Sequence, residues 1–556
     1  MRPHLLFLAA VAALAPNPPP RRNTAKRGTK PRSRARADAG PAAALVKAVR
    51  APVSPATLAR LLSAVESEAY AGRLNARGTA NAAWAVAKLS GGAAAAAPPA
   101  KAALAAALAG LAVHLERNAT SAALQMPEHA MASWALAVAG GEALGAEERP
   151  ALWAGLGAAA AARMGEGGEA CGGRELAMTA HAHATARSHS PALLAATGAR
   201  LEALLAEEAE PALQARDVAN LAWAAARTAE AHAAAQDGAL RVLAALAPAA
   251  RAAAAAEGFG SHDVSQYAAA LATARYDDCG TLDALVGAAC ARDLARWRPR
   301  ELAGTAWACA RLDSGHAAFV HRAAAEALAR GLHGFNAQEA SNLAWSCAVV
   351  APRREGALVA AAVRAVEAVG DASGRNLRQL HQASRACGLP PSQALQAAWE
   401  REKAREKQPS ARHRAISDTL SLMKVPHDNE AEHDIDVRVR VDASAPLALE
   451  VDGPSHFCCG PESRRPLGHT VLKRRLLRRA GYRVVSVPYY EWDRIPFWAS
   501  MEKQRYLQRR LALEDLEVLT WGVDSSSASP LPEGFSREDA EAQGADGEMV
   551  EGERFA

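Results

Sequence analysis

One phrase built around tryptophan returns along this chain, and its period restricts the possible folds more than any other feature. It reads TANAAWAVAKL around Trp84, HAMASWALAVAG around Trp134, DVANLAWAAART around Trp223, ELAGTAWACARL around Trp307 and EASNLAWSCAVV around Trp345. Weaker copies place His181, Ala269 and Gln382 at the tryptophan position. Successive spacings are 50, 47, 42, 46, 38, 38 and 37 residues, a length that holds two short helices and two turns. Five of the eleven tryptophans occupy this one slot, so a general excess of alanine does not explain the recurrence. Within the phrase, Leu or Val is followed five residues later by Trp, among alanines. The indole fills the gap between stacked helix pairs, and the small neighbours let the axes approach. Breakers such as Pro98-Pro99, Gly140-Gly141 and Gly331 separate the phrases. The expected fold is therefore mostly α: an α-solenoid of helical-hairpin repeats over residues 41–399, in which each pair touches only its neighbours. Abundant alanine and only 5% aromatic residues suit close helix packing better than sheets.

The pattern changes after residue 414. Ile435, Val437, Val439 and Val441 alternate with Asp436, Arg438 and Arg440, as in a half-buried strand. Leu447 to Val451 reads as a second strand, hairpin-paired to the first, and runs into the turn Asp452-Gly453-Pro454. Thr470 is the expected N-cap of a helix Val471–Ala480, Gly481 its left-handed stop, and Tyr482 to Val487 a third strand closed by Pro488. Strand, turn, helix, strand makes a βαβ crossover.

The stretches ALEVDGPSHF, RPLGHTVLKRRLLRRAGYRVVSVPYYEWD and KQRYLQRRL resemble the RAP domain, an RNA-binding module of organelle RNA-metabolism proteins, over about Ile416 to Leu513. The repeats resemble octotricopeptide and FAST-kinase-like repeats, which precede RAP domains. Through the RAP domain the resemblance extends to the restriction-endonuclease-like fold, so a small C-terminal α/β domain is expected over residues 415–522. A charged linker is expected at 400–414 and an acidic disordered tail at 523–556.

Residues 1–40 carry no periodic core pattern. An apolar run from Leu5 to Ala15 is too short to span a membrane and precedes Arg21–Arg36, which is rich in Arg and Lys and has no acid before Asp38. That order resembles the bipartite presequence of plastids derived from an engulfed alga, with a mitochondrial presequence as the alternative. No membrane span is expected in the mature chain. Eight scattered cysteines lack zinc-ligand spacing and read as mostly buried reduced thiols.

Two kinds of chemistry have candidate residues. For RNA binding, Lys88, Arg227 and Arg311 each follow their tryptophan by four residues, and the C-terminal helix carries Lys473, Arg474, Arg475, Arg478 and Arg479. Cations in register along helical repeats would follow a phosphate backbone. For cleavage, the endonuclease resemblance places Asp436 and Glu450 as Mg²⁺ ligands, Asp452 where those nucleases carry Lys, and His456 as a base or phosphate contact. The composite expectation is an organelle RNA-binding protein acting in maturation, stabilisation, processing or translation of an organelle mRNA or rRNA. It would need no cofactor and would bind single-stranded RNA, with other RNA-processing proteins as partners. The alternatives are a Mg²⁺-dependent endoribonuclease and a protein-interaction scaffold.

Overall fold

The computed structural model describes residues 40–511, apart from 119–123, 166–170, 208–212, 351–353, 371, 404–408, 432–434, 441–445 and 461–463. The expected presequence (but for Gly40) and acidic tail, and the middle of the expected linker, lie outside these residues. The chain divides into two compact units, one up to Ala274 and one from Arg275 onward.

In the first unit, every tryptophan-slot phrase is one helix, and each but the last is the first of a pair. These first helices are Ala76–Leu89, Met126–Gly140, Gly173–Thr185, Ala215–Ala231 and Ser261–Thr273. Each packs against the next, and the second helices, such as Pro98–Asn118 and Pro191–Ala206, form their own row. An additional pair, Pro41–Ala48 and Pro55–Tyr70, precedes the first phrase.

The starts and stops follow from residue chemistry. Asp217 accepts the N–H of Gln214 at 3.3 Å and Asp263 that of Gly260 at 3.1 Å, so an acid six residues before the slot closes the first turn. Proline opens Pro98–Asn118, Pro150–Gly165 and Pro191–Ala206, where its missing N–H costs nothing. Arg187 and Arg275, each six residues past the slot, take left-handed φ of 59° and 58° to reverse the chain. Two segments, Pro98–Arg117 and Ala233–Ala255, are by length and composition alone long and apolar enough to cross a bilayer. Leu108, Leu111 and Leu115 in one, and Val242, Leu243 and Leu246 in the other, are buried in the protein core instead.

The second unit continues the plan with first helices Pro299–Arg311, Ala337–Val350 and Gly374–Cys387, and second helices Cys279–Cys290, Ala317–Ala329, Gly356–Val369 and Gln393–Lys403. Glu301 and Glu339 close the first turns of their helices by accepting N–H groups at 2.9 Å. Asp313 and Gly388, again six past the slot, have φ of 47° and 72°.

A four-stranded sheet follows, in the order β1 (His427–Ala431), β2 (Ile435–Val439), β3 (Leu447–Asp452) and β4 (Arg483–Pro488). The β2–β3 pair is antiparallel and β3–β4 parallel, as the hairpin and crossover require. β1 has no apolar alternation (HDNEA) and was not foreseen. The crossover helix is Gly468–Arg479 with Leu467 at its N-cap, so Thr470 lies inside the first turn and does not cap it. Along β3 the alternation is complete: Leu447, Leu449 and Val451 pack with Ile416, Leu420, Trp492 and Leu507 from helices Ala411–Leu422, Tyr489–Trp492 and Ser500–Leu511. Ala448 packs with Leu477 of the crossover helix. The intervening Glu450 and Asp452 face that same helix.

Candidate nucleic-acid interface

Register determines what the acids of the sheet meet. Val437 lies opposite Leu449, which sets Asp436 beside Glu450 on the face covered by Gly468–Arg479. Asp436 Oδ2 accepts the N–H of Val451 at 2.8 Å. Lys473 reaches down from the helix, its Nζ 2.5 Å from Glu450 Oε2 and 3.3 Å from Asp436 Oδ1. From the next residue, Arg474 Nη2 donates to Asp452 Oδ2 at 2.6 Å and to Ser486 Oγ at 2.8 Å, and Ser486 donates to the same carboxylate. His456 Nδ1 lies 3.1 Å from Asp452 Oδ1 and 3.2 Å from Thr470 Oγ1.

The two buried acids respond oppositely. Burial, then the charge of Asp436, pushes the Glu450 carboxyl up to about 8 against the pull of Lys473. Burial also works to raise Asp452, but His456, Arg474 and Ser486 together hold it down at about 2. His469, beside His456, is kept well below the ordinary histidine range by burial and then by the charge of Arg311.

Asp436, Glu450, Asp452 and His456 are thus brought together, but not as an open metal site. An ammonium already stands between the two carboxylates expected to hold Mg²⁺. The third acid is engaged by a guanidinium and a hydroxyl. A divalent ion would have to displace Lys473, and no group of three metal-binding side chains occurs among the described residues. The donor set does not fit the metal.

The basic helix is equally committed. Besides Lys473 and Arg474, Arg475 Nη1 donates to the carbonyls of Ala348 and Val349 at 3.2 and 2.8 Å, and Arg479 to that of Ala386. These carbonyls belong to the C-terminal ends of Ala337–Val350 and Gly374–Cys387, where helix dipoles leave negative partial charge. The start of the helix seats on a third such end: a Cβ on Gly468 would lie 1.9 Å from the carbonyl oxygen of Ala310. Nearby, Arg465 bonds the Asp313 carbonyl at 2.9 Å and the Asp277 carboxylate at 2.6 Å, and Arg275 bonds the Pro454 carbonyl at 2.6 Å. Of the cations expected to meet RNA from this helix, Lys473, Arg474 and Arg475 therefore serve internal contacts, whereas Arg478 is exposed.

In the array, the cation four residues past the slot lies with its repeat. Lys88 Nζ is 5.9 Å from the centre of the Trp84 ring, and Arg311 is 5.4 Å from that of Trp307. Arg227 Nη1 meets Glu230 at 2.5 Å. These side chains nonetheless mark one edge of a narrow accessible line. In Ser261–Thr273 every residue is buried except 261, 262, 266, 269 and 273; in Pro299–Arg311 every one except 299, 300, 304, 307 and 311. Apart from the N1 residue, these are the positions seven and three before the slot, the slot itself, and four after it.

The composition of that line was missed in the sequence. Seven before the slot, six of the eight copies carry Arg or His (Arg77, Arg174, Arg216, His262, Arg300 and Arg375, against Pro127 and Gln338); three before it, five carry an amide (Asn81, Asn220, Gln266, Asn342 and Gln379, against Met131, Met178 and Gly304). The amides bond between neighbouring helices, Gln266 to Asn220 at 3.1 Å and Gln379 to Asn342 at 3.0 Å. Both positions are legible when the eight phrases are set in register on the slot.

Comparison with known proteins agrees with this geometry at the C-terminus. Residues 449–510 match the family model of the RAP domain, so the chain carries one. The chain is 38% identical over 96 residues to a RAP domain-containing protein, chloroplastic, of Oryza sativa subsp. japonica, covering 17% of this chain and 14% of that protein. It is 44% identical over 78 residues to FAST kinase domain-containing protein 3, mitochondrial, of Rattus norvegicus, covering 14% and 10%. The human protein of that name is 40% identical over 65 residues. The matches thus take in a small part of each relative's own length.

Proposed function

We propose that this RAP-domain chain binds single-stranded RNA in an organelle and acts after transcription, in maturation, stabilisation, processing or translation of an organelle mRNA or rRNA. The carrying observation is the accessible line on the first helices. In most repeats it has a cation seven residues before the slot and an amide three before it, and the slot joins it where its side chain is partly exposed, as at Trp223 and Trp307. Cations at such a spacing suit a phosphate backbone, and amides offer paired donors and acceptors to base edges. A peptide-binding scaffold has no comparable need for a cation recurring at one position of most repeats. The organelle assignment draws on the chloroplastic and mitochondrial relatives, and the plastid in particular on the order of the N-terminal segments. Lys473 between Asp436 and Glu450 supports binding without cleavage.

The test is a titration of the full chain with a fluorescent single-stranded RNA pool at several salt concentrations. Binding should weaken linearly in log–log form with salt. Replacing Arg216, Arg300 or Arg375 by Ala should each lower that slope by about one. Absence of RNA binding at low salt, or slopes untouched by these variants, would refute the reading. Crosslinking in cells and sequencing the bound RNA then identifies the transcript.

A further inference from the structure

Among the described aromatic rings, Phe497 and Trp498 are the two most exposed. Trp345 is 4% exposed and Trp492 likewise 4%, whereas the adjacent pair Phe497 and Trp498 is 66% and 65% exposed. The two rings meet edge to face, centroids 5.0 Å apart. They are carried on a pinned turn: Ile495 N–H bonds to the Trp492 carbonyl at 3.1 Å, Ala499 to Pro496 at 3.0 Å and Ser500 to Trp498 at 2.9 Å. Lys503 Nζ holds the Phe497 carbonyl at 3.3 Å. The turn thus presents both rings outward in a fixed arrangement, beside the half-exposed Met501.

The surroundings select the occupant. Residues 494–510 contain Arg494, Lys503, Arg505, Arg509 and Arg510 against Glu502 alone, and Arg494, Arg505 and Arg509 are exposed. A flat apolar surface ringed by cations suits an unpaired nucleobase with its phosphate: each base has a π-face to stack, and each linkage a charge to neutralise. An apolar protein partner would leave those cations to be desolvated.

We infer that Phe497 and Trp498 form a base-stacking platform for single-stranded RNA, a second contact on the C-terminal domain separate from the line of the array. This rests on the proposed RNA-binding function and adds a site to it. The platform contributes through bases and not through charge.

The experiment compares the full-length protein with Phe497→Ala/Trp498→Ala and with the aromatic exchange Phe497→Trp/Trp498→Phe. Each is titrated with a fluorescent single-stranded RNA pool and with an abasic strand of equal length and charge. The alanine pair should bind RNA on the order of ten-fold more weakly with an unchanged salt slope. The aromatic exchange should retain binding, and the abasic strand should bind all three proteins alike. Wild-type RNA binding that the alanine pair fully keeps would overturn the platform and leave the array reading standing. A wild type that binds no RNA would overturn both. Loss of self-association in the alanine pair with RNA affinity intact would make the patch a contact between copies and also overturn the inference. Equal thermal melting of the three proteins guards against misfolding, since the replaced rings are largely exposed.

Discussion

Lys473 serves two carboxylates with a single ammonium, and Glu450, 1% exposed, is the one most dependent on it. Because the folded Glu450 carboxyl lies above its ordinary 4.5, near 8, its stabilising contribution is present below 4.5 and lost as pH rises through about 8. Asp452 runs the other way: its contribution is present above 3.8 and lost as pH falls towards 2. Glu450→Gln removes only the first dependence. The melting temperature of the variant relative to wild type should therefore rise between about pH 5 and about pH 9; a difference that stays flat or falls contradicts the direction of the shift. Lys473→Ala removes the cation beside the buried Glu450 and should cost about 3–5 kcal/mol by denaturant titration at about pH 9, above the point where that carboxyl ionises in the fold. Asp436→Asn and Glu450→Gln should leave any RNA cleavage with or without Mg²⁺ unchanged, because neither acid is open to a metal. Loss of Mg²⁺-dependent cleavage in both, with folding and binding intact, would restore the nuclease reading.

Among the elements, the helix Gly468–Arg479 shows how composition misleads. Its run LKRRLLRR looks like a phosphate-binding surface, yet most of its cations neutralise buried acids or the carbonyl ends of repeat helices. Nothing local in the sequence separates those uses, because the partners lie more than a hundred residues away at Ala348 and Val349. Gly468→Ala forces a Cβ against a backbone oxygen that has no rotamer to yield, so an overpacking loss of about 1–3 kcal/mol is expected. Limited proteolysis should then cut the C-terminal domain faster than in wild type; unchanged resistance would show that the helix can tilt freely. Trp345, closed in at 4% exposure, is a structural residue: Trp345→Ala should cost about 3–5 kcal/mol and loosen its own repeat. The tryptophan slot, the hairpin and the crossover were legible because a period of two or of one repeat is written locally. The strand His427–Ala431 was not, since it is an edge strand whose polar residues leave no alternation to find.

At the scale of the whole molecule, the N-terminal forty residues should act as an address. A fluorescent fusion of residues 1–40 should reach an organelle and the chain lacking them should stay in the cytosol, whereas import of the shortened chain would refute the presequence. The seating of the C-terminal domain has another consequence. It touches the loop at Arg275–Asp277 and the tips of the helices ending at Arg311, Val350 and Cys387, so three specific repeats are shaped to it by Gly468, Arg475 and Arg479. Those repeats and the domain form a cassette that must be inherited or transplanted whole.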